Sequence, residues 1–355
     1  MATVTKSIGT DGRDYSTISG WEADLDDTAI YASGDDAVGE CYNDSEFDES
    51  VTIDGGGTVG LNSVTLTVAS GERHDGTAGT GARIVLTTKE DAVPTLGLSR
   101  YDTELMWLEC DDNEVDPGLS RAINFPDTGS NLPKASHLLI HDVRGSRSRA
   151  TGIEDLCRDH PGTWIHNCII YDVKATGASQ DANGLIHEAG NSETVANITV
   201  YDIYSNSDND PAYGADFEND IADITIKNIV VAQVINDGTY GEACFTPSSF
   251  SFASVSNNAS SDGTAPGSNS LTNIVTADQF VSTTDGSEDL HLKSGADCID
   301  AGADLGTTPE GVNIDIDGRD RDAEGDAWDI GADEYVSAGT GFNASWAHNA
   351  NQVIQ

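Results

Sequence analysis

The chain repeats itself every 30 residues, and no other feature constrains its fold as tightly. Four segments align: HLLIHDV at 137–143, NCIIYDV at 167–173, NITVYDI at 197–203 and NIVVAQV at 228–234. Asp142, Asp172 and Asp202 recur at intervals of 30, and Asn167, Asn197 and Asn228 at intervals of 30 and 31. Inside each segment apolar residues alternate with period 2, the period of a strand. Leu138, Cys168, Ile198 and Ile229 share one column, and Ile140, Ile170, Val200 and Val231 the next. A weaker second strand sits between these, as RAINF at 121–125, TGIED at 151–155, NGLIH at 183–187, YGADF at 213–217 and GEACF at 241–245. Gly, Asn, Asp and Ser fill the joining turns, and the repeat carries no amphipathic helical pattern. Helical and leucine-rich repeats are thereby excluded, and a WD40 blade needs about 40–45 residues and four strands. What remains is an all-β solenoid, a single-stranded parallel β-helix of roughly ten rungs.

The two ends read as caps. Residues 16–25 (STISGWEADL) fit a short amphipathic helix, with Ser16 as the N-cap and Ile18, Trp21 and Leu25 on one face. A solenoid needs such a lid because its first rung otherwise exposes core and strand edges. The expected division is a cap over 1–30, the β-helix over 31–335 and a C-terminal tail over 336–355. The tail holds Phe342, Trp346, Val353 and Ile354, apolar side chains suited to anchoring the protein on a partner or joining it to another copy.

Charge narrows the partners. The chain has 17 Lys and Arg against 61 Asp and Glu, a formal net charge of −44. Neither nucleic-acid binding by phosphate neutralisation nor docking on anionic lipid suits such a surface. No apolar run approaches the ~20 residues of a membrane helix, and the first residues lack the apolar core of a secretory signal. The six cysteines form no CxxC pair and are expected to be buried, reduced thiols. The basic cluster RGSRSR, with Arg144, Arg147 and Arg149 and with Arg158 nearby, is a candidate docking patch for an acidic neighbour.

Several stretches carry a resemblance. VTKSIGTDGRDYSTISGWEADL, ECYNDSEFDESVTI, VASGERHDGTAGTGARIVL and NNASSDGTAPGSNSLTN are similar to β-helix proteins of tailed bacteriophages and their prophages. The closing stretch DLHLKSGADCIDAGADLG…DIDGRDRDAEGDAWDIGADEY resembles the terminal-rung signature of many right-handed parallel β-helix proteins, the pectate-lyase-like superfamily. The resemblance covers nearly the whole chain up to Tyr335. It implies a right-handed helix closed by that last stretch. It also implies a virion surface protein, either a capsid decoration or head fibre or a tail spike or fibre, assembled in the host cytoplasm. A homotrimer, other capsid or tail proteins, and host surface polysaccharide are the partners it suggests. The fold also carries lyases and hydrolases, so a polysaccharide-degrading enzyme and a non-catalytic glycan-binding module are the competing readings.

The residues offer three constellations for chemistry. The column Asn167, Asn197 and Asn228 reads as a structural amide ladder. Aligning Gly184 with Gly214 brings Glu188 and Glu218 into one column, with His187 and Asp216 beside them and Asp155 one rung earlier. This is the candidate acid/base group, since two carboxylates with separated pKa values can cleave a glycosidic bond. No match to pectate lyase or polygalacturonase patterns accompanies it. Asn313, Asp315, Asp317 and Glu324 fit the spacing of a calcium loop. Pairing with Arg319 and Arg321 is the competing account of those acids. The Asp142, Asp172 and Asp202 column is expected either to accept turn N–H bonds or to share a cation.

Overall fold

The computed structural model describes residues 2–87, 94–112, 120–127, 132–146, 149–157, 162–177, 180–188, 193–218, 224–246 and 254–337. Within them the chain is a parallel β-solenoid. A 15-stranded sheet stacks ten strands along its main path, from Thr3–Ile8 through Trp164–Ala175 and Thr194–Ser205 to Leu271–Thr272. A second sheet stacks seven, from Val51–Ile53 to Glu242–Phe245. About seven turns therefore carry both sheets, fewer than the ten rungs expected from sequence. The difference lies at the ends, where strands of the first sheet stack without a counterpart in the second.

The register follows the repeat. Cys168 pairs with Ile198 and Ile198 with Ile229, while Ile140, Ile170, Val200 and Val231 align one above the next. These side chains are fully buried in the main core between the sheets. The second sheet presses on them closely enough to need glycine. A Cβ at Gly152, Gly184 or Gly214 would lie 2.5, 2.5 and 2.0 Å from Ile170, Val200 and Val231 respectively.

The long strands Trp164–Ala175, Thr194–Ser205 and Thr225–Asn236 bend twice. Asn167, Asn197 and Asn228 take φ of 54°, 53° and 57°, and Asp172, Asp202 and Gln233 take 54°, 53° and 57°. These positions are the gaps in the strand register. Asn and Asp are the side chains that tolerate left-handed backbone best, so both sequence columns are corner residues before they are anything else. Trp107 and His137 occupy the Asn corner in earlier turns, at φ of 64° and 54°.

The N-terminal lid is present with a different cap. The helix runs Ile18–Ala23, and Thr17 rather than Ser16 accepts the Gly20 N–H, at 3.0 Å. Glu49 accepts the Ile18 and Ser19 N–H groups, so the fold supplies a second capping carboxylate from 30 residues away. Ile18, Trp21 and Leu25 are fully buried, as their spacing requires. All six cysteines are buried and unpaired.

The closing stretch does not cap the last turn. After the hairpin Phe280–Thr284 and Ser287–Leu292, residues 299–335 fold back along the outside of the solenoid as a strap. Asn257 donates to the Ala301 carbonyl, Asn228 to Ala303, Asn197 to Val312 and Asn167 to Gly311, all at 2.8–2.9 Å. His137 continues the descent by donating to the Ile314 carbonyl at 3.0 Å. Beneath the strap lies a second core, where Leu139, Ile169, Val230, Tyr171 and Tyr201 meet Leu290, Leu292, Ile316, Ile330 and Ala332.

Candidate functional site

The amide ladder is sealed between the rungs and the strap. Each carboxamide has two N–H groups, and the middle of the ladder uses both. Asn228 donates to Asn197 Oδ1 and Asn197 to Asn167 Oδ1, each at 2.9 Å, while the second N–H reaches a strap carbonyl. All three residues are fully buried, so the column is a structural joint.

The acid/base group expected from the repeat splits in two. Glu188 and Glu218 are aligned neighbours, and Asp155 is opposite His187, whereas Asp216 stands opposite Ile186. Asp155 and His187 point into the core in the same column as Phe125 and Phe217. His187 Nδ1 lies 3.0 Å from Asp155 and Nε2 lies 2.7 Å from Glu193, and all three side chains are fully buried. Burial alone disfavours the charged imidazole, but the two carboxylates against its ring nitrogens outweigh it and hold the pKa up at about 10. This triad is an interior ion cluster that no substrate reaches.

Asp216 and Glu218 remain on the outer face of the second sheet. Burial, then the neighbouring Glu218 carboxylate, push Asp216 up to about 7. Tyr240 is 52% exposed, and Tyr213 lies in the same strand as Asp216. Arg149 is engaged by Glu154 at 3.0 Å and Asp181 at 2.7 Å.

The Asp corner column is neutralised within the chain. Arg144 reaches Asp142 at 2.8 Å and also pairs with Asp172. Lys174 pairs with Asp172 and reaches Asp202 at 3.2 Å. Cations two residues downstream thus interleave with the acids, so neighbouring members of the column share a cation that the chain itself supplies. Arg144 and Arg149 are thus each paired with carboxylates of the solenoid. Arg147, Arg158, Phe342, Trp346, Val353 and Ile354 lie outside the described residues.

The calcium-loop residues do not converge. Asn313 donates to Asp320, and Glu324 lines a separate depression with Asp300 and Asp326. Asp315 accepts the Asp317 and Arg319 N–H groups, closing a turn. Arg319 lies 2.5 Å from Asp317, and the fully buried Arg321 pairs with Glu334 at 3.1 Å while donating to the Gly331 and Ala332 carbonyls. Burial pushes Asp315 up to about 7 and Glu334 up to about 8.

Asp317 instead faces a cleft of about 460 Å³ between the strap, the hairpin and the 74–80 turn. His291 stands at its centre, Nδ1 2.6 Å from Asp289 and Nε2 3.0 Å from Asp317. Burial opposes its charge, but Asp317, Asp333 and Asp289 together raise its pKa to about 10. Gly76, at φ 82°, brings its backbone so close that a Cβ there would lie 2.8 Å from His291 Nε2. Asp75, Asp289, His291 and Asp333 were not singled out from sequence. The Asp-x-His spacing at 289–291, which puts both side chains on one face of a strand, was the available signal.

No protein-family model matches the chain, and no curated protein matches it either.

Proposed function

We propose that the protein is a structural component of the surface of a tailed phage particle, a capsid decoration or head fibre or a tail spike or fibre, built on a right-handed parallel β-helix. The observation that carries this reading is the lengthwise brace. One strap, running against turns from Asn257 down to His137, ties the stack along its axis and braces it. Homotrimeric assembly, attachment to capsid or tail proteins and contact with host glycans belong to the same proposal. The high negative charge keeps such rods apart and soluble. Immunogold electron microscopy of purified particles tests it: label on the particle surface supports it, and a particle free of the protein overturns it.

A second reading rests on Asp216 and Glu218. A carboxyl group with pKa about 7 beside a second, exposed carboxylate is a proton donor next to a base, as glycoside cleavage requires. A reducing-sugar or unsaturated-uronate assay on host polysaccharide decides between the two. Turnover lost in Asp216→Asn and Glu218→Gln would put the enzyme first.

A further inference from the structure

We propose that the cleft beside the strap is a divalent-metal site, in which His291, Asp317 and Asp333 ligate a first-row ion such as Zn²⁺ or Mn²⁺ and fasten three separate segments together. The three side chains each offer one ligand atom, and these atoms all lie within 4.8 Å of one another. His291 Nε2 and Asp317 Oδ1 are 3.0 Å apart. Two donors ~2.1 Å from one ion are ~3.0 Å apart at a right angle and ~3.4 Å apart at the tetrahedral angle, so the pair is already at ligand spacing.

Asp333 supplies the independent observation. Its Oδ2 accepts the Leu292 N–H at 2.7 Å, which fixes the carboxylate in the cleft wall. Its Oδ1 accepts no hydrogen bond although the residue is only 3% exposed. Arg319 Nη1 is 4.0 Å from that oxygen, at ion-pair distance but beyond hydrogen-bond reach. A buried carboxylate oxygen without a donor is costly to hold. A cation at the shared point of the three ligands satisfies it.

The surroundings fit a metal rather than a bare acidic patch. Asp289 holds His291 Nδ1 at 2.6 Å, the outer carboxylate that fixes the orientation of a ligating imidazole. Arg319 binds Asp317 through Oδ2, so Oδ1 stays against His291 Nε2, where the ion would take the place of the proton the two atoms share. One imidazole with two carboxylates favours Zn²⁺ or Mn²⁺ over the all-oxygen preference of Ca²⁺ and Mg²⁺. The cleft leaves room for water to complete the coordination. By contrast, the Asp172, Asp202 and Asp285 group already surrounds the Lys174 ammonium. The proposed ion would cross-link the hairpin strand, the 315–319 turn and the end of the strap, and so hold the strap shut.

The test uses the full-length protein, stripped with chelator and titrated with Zn²⁺, Mn²⁺, Ca²⁺ and Mg²⁺ by calorimetry and thermal unfolding. One equivalent of Zn²⁺ or Mn²⁺ should bind at least about tenfold more tightly than Ca²⁺ or Mg²⁺ and raise the melting temperature. His291→Gln and Asp333→Asn should each weaken binding by about tenfold or more, and Glu324→Gln should leave it unchanged. Binding no tighter than that of Ca²⁺, or undiminished in both variants, would overturn the site and assign the uptake to scattered surface carboxylates. Should the variants misfold, Co²⁺ loading of the unaltered protein decides. A visible spectrum displaced from that of the aqueous ion supports imidazole ligation, and a spectrum matching the aqueous ion rejects it.

Discussion

Six histidines lie in the described residues, and they divide into two regions with opposite charge states. His74, His137 and His166 sit where the strap crosses the ladder corner, and burial pushes all three below the ordinary imidazole pKa, His166 to about 3. Trp107 stacks on His137 with centroids 4.0 Å apart, and His74 donates to the His137 carbonyl. Among the described residues, none of the three is hydrogen-bonded to a carboxylate. His141, His187 and His291 are also largely buried, yet each is clamped by two carboxylates and is raised, to about 9, 10 and 10. Glu109 and Asp142 hold His141 at 3.0 and 2.8 Å. The same side chain at similar depth is neutral in one place and charged in another. Burial therefore does not decide the charge; the number of acceptors within hydrogen-bond reach does.

The sharpest break of this comparison removes a clamped imidazole. His187→Leu leaves Asp155 and Glu193 buried without the cation between them, and should destabilise the fold by about 3–5 kcal/mol in chemical denaturation. Replacing the whole triad, as Asp155→Leu, His187→Phe and Glu193→Leu, should recover much of that loss. A harmless single substitution would mean the cluster is not charged.

The neutral set gives the next effect, through pH. His166 has a folded pKa of about 3, below the unfolded value of ~6.5. Its contribution is therefore complete above pH ~6.5 and is lost as pH falls toward 3, amounting to about 2 kcal/mol by pH 5. The clamped imidazoles have raised folded values, so theirs is complete below pH ~6.5 and is lost as pH rises through 9 to 10. Asp315 and Glu334, raised by burial, gain stability as pH falls from 8 toward their unfolded values, opposing the His166 limb. The measurement is therefore the difference in unfolding midpoint between the protein and His166→Leu across pH. A constant difference would remove His166 from the neutral set.

Converting one set into the other is a finer test. Asn167 Nδ2 lies 3.3 Å from His137 Nε2, so Asn167→Asp places a carboxylate against a neutral imidazole. The His137 pKa should rise by at least about one unit, or ~1.4 kcal/mol, in a histidine NMR titration. No movement would show that acceptor number is not the controlling variable. The smallest effect expected is in the opposite direction. Asp142→Asn keeps a residue suited to the positive-φ corner but removes one arm of the His141 clamp, and should lower the His141 pKa while changing stability by under about 1 kcal/mol.

The period of 30, the two sheets and the inward columns were legible because a solenoid writes each turn locally. Ile140, Ile170, Val200 and Val231 reveal their stack by spacing alone. The strap was not legible, since its partners lie between 44 and 177 residues away and no periodicity links them. A trace was present in the outward columns. Leu139, Ile169 and Val230 are apolar where a solvated face would be polar, and Tyr171 and Tyr201 stand beside them. A sheet apolar on both faces is covered on both. The same blindness applied to the cleft, where His291 meets a turn more than 200 positions earlier. Asp155 and His187 stand two residues after the buried Ile153 and Leu185, so alternation already turns them inward beside Phe125 and Phe217, into the core and away from any substrate.

The order of the strap contacts has a consequence for how the chain comes together. Asn257 to Ala301 closes 44 residues, Asn228 to Ala303 closes 75, Asn197 to Val312 closes 115 and His137 to Ile314 closes 177. Closure entropy grows only with the logarithm of loop length, and each contact made shortens the loop left for the next. The strap therefore docks as a zip that starts beside the last turns and runs toward the first, and only on a ladder whose turns have already stacked. Its far end is the last part to close, so the slow step in unfolding is the reopening of contacts absent until folding is nearly complete, which places the brace's effect on the lifetime of the rod rather than on the speed of its formation.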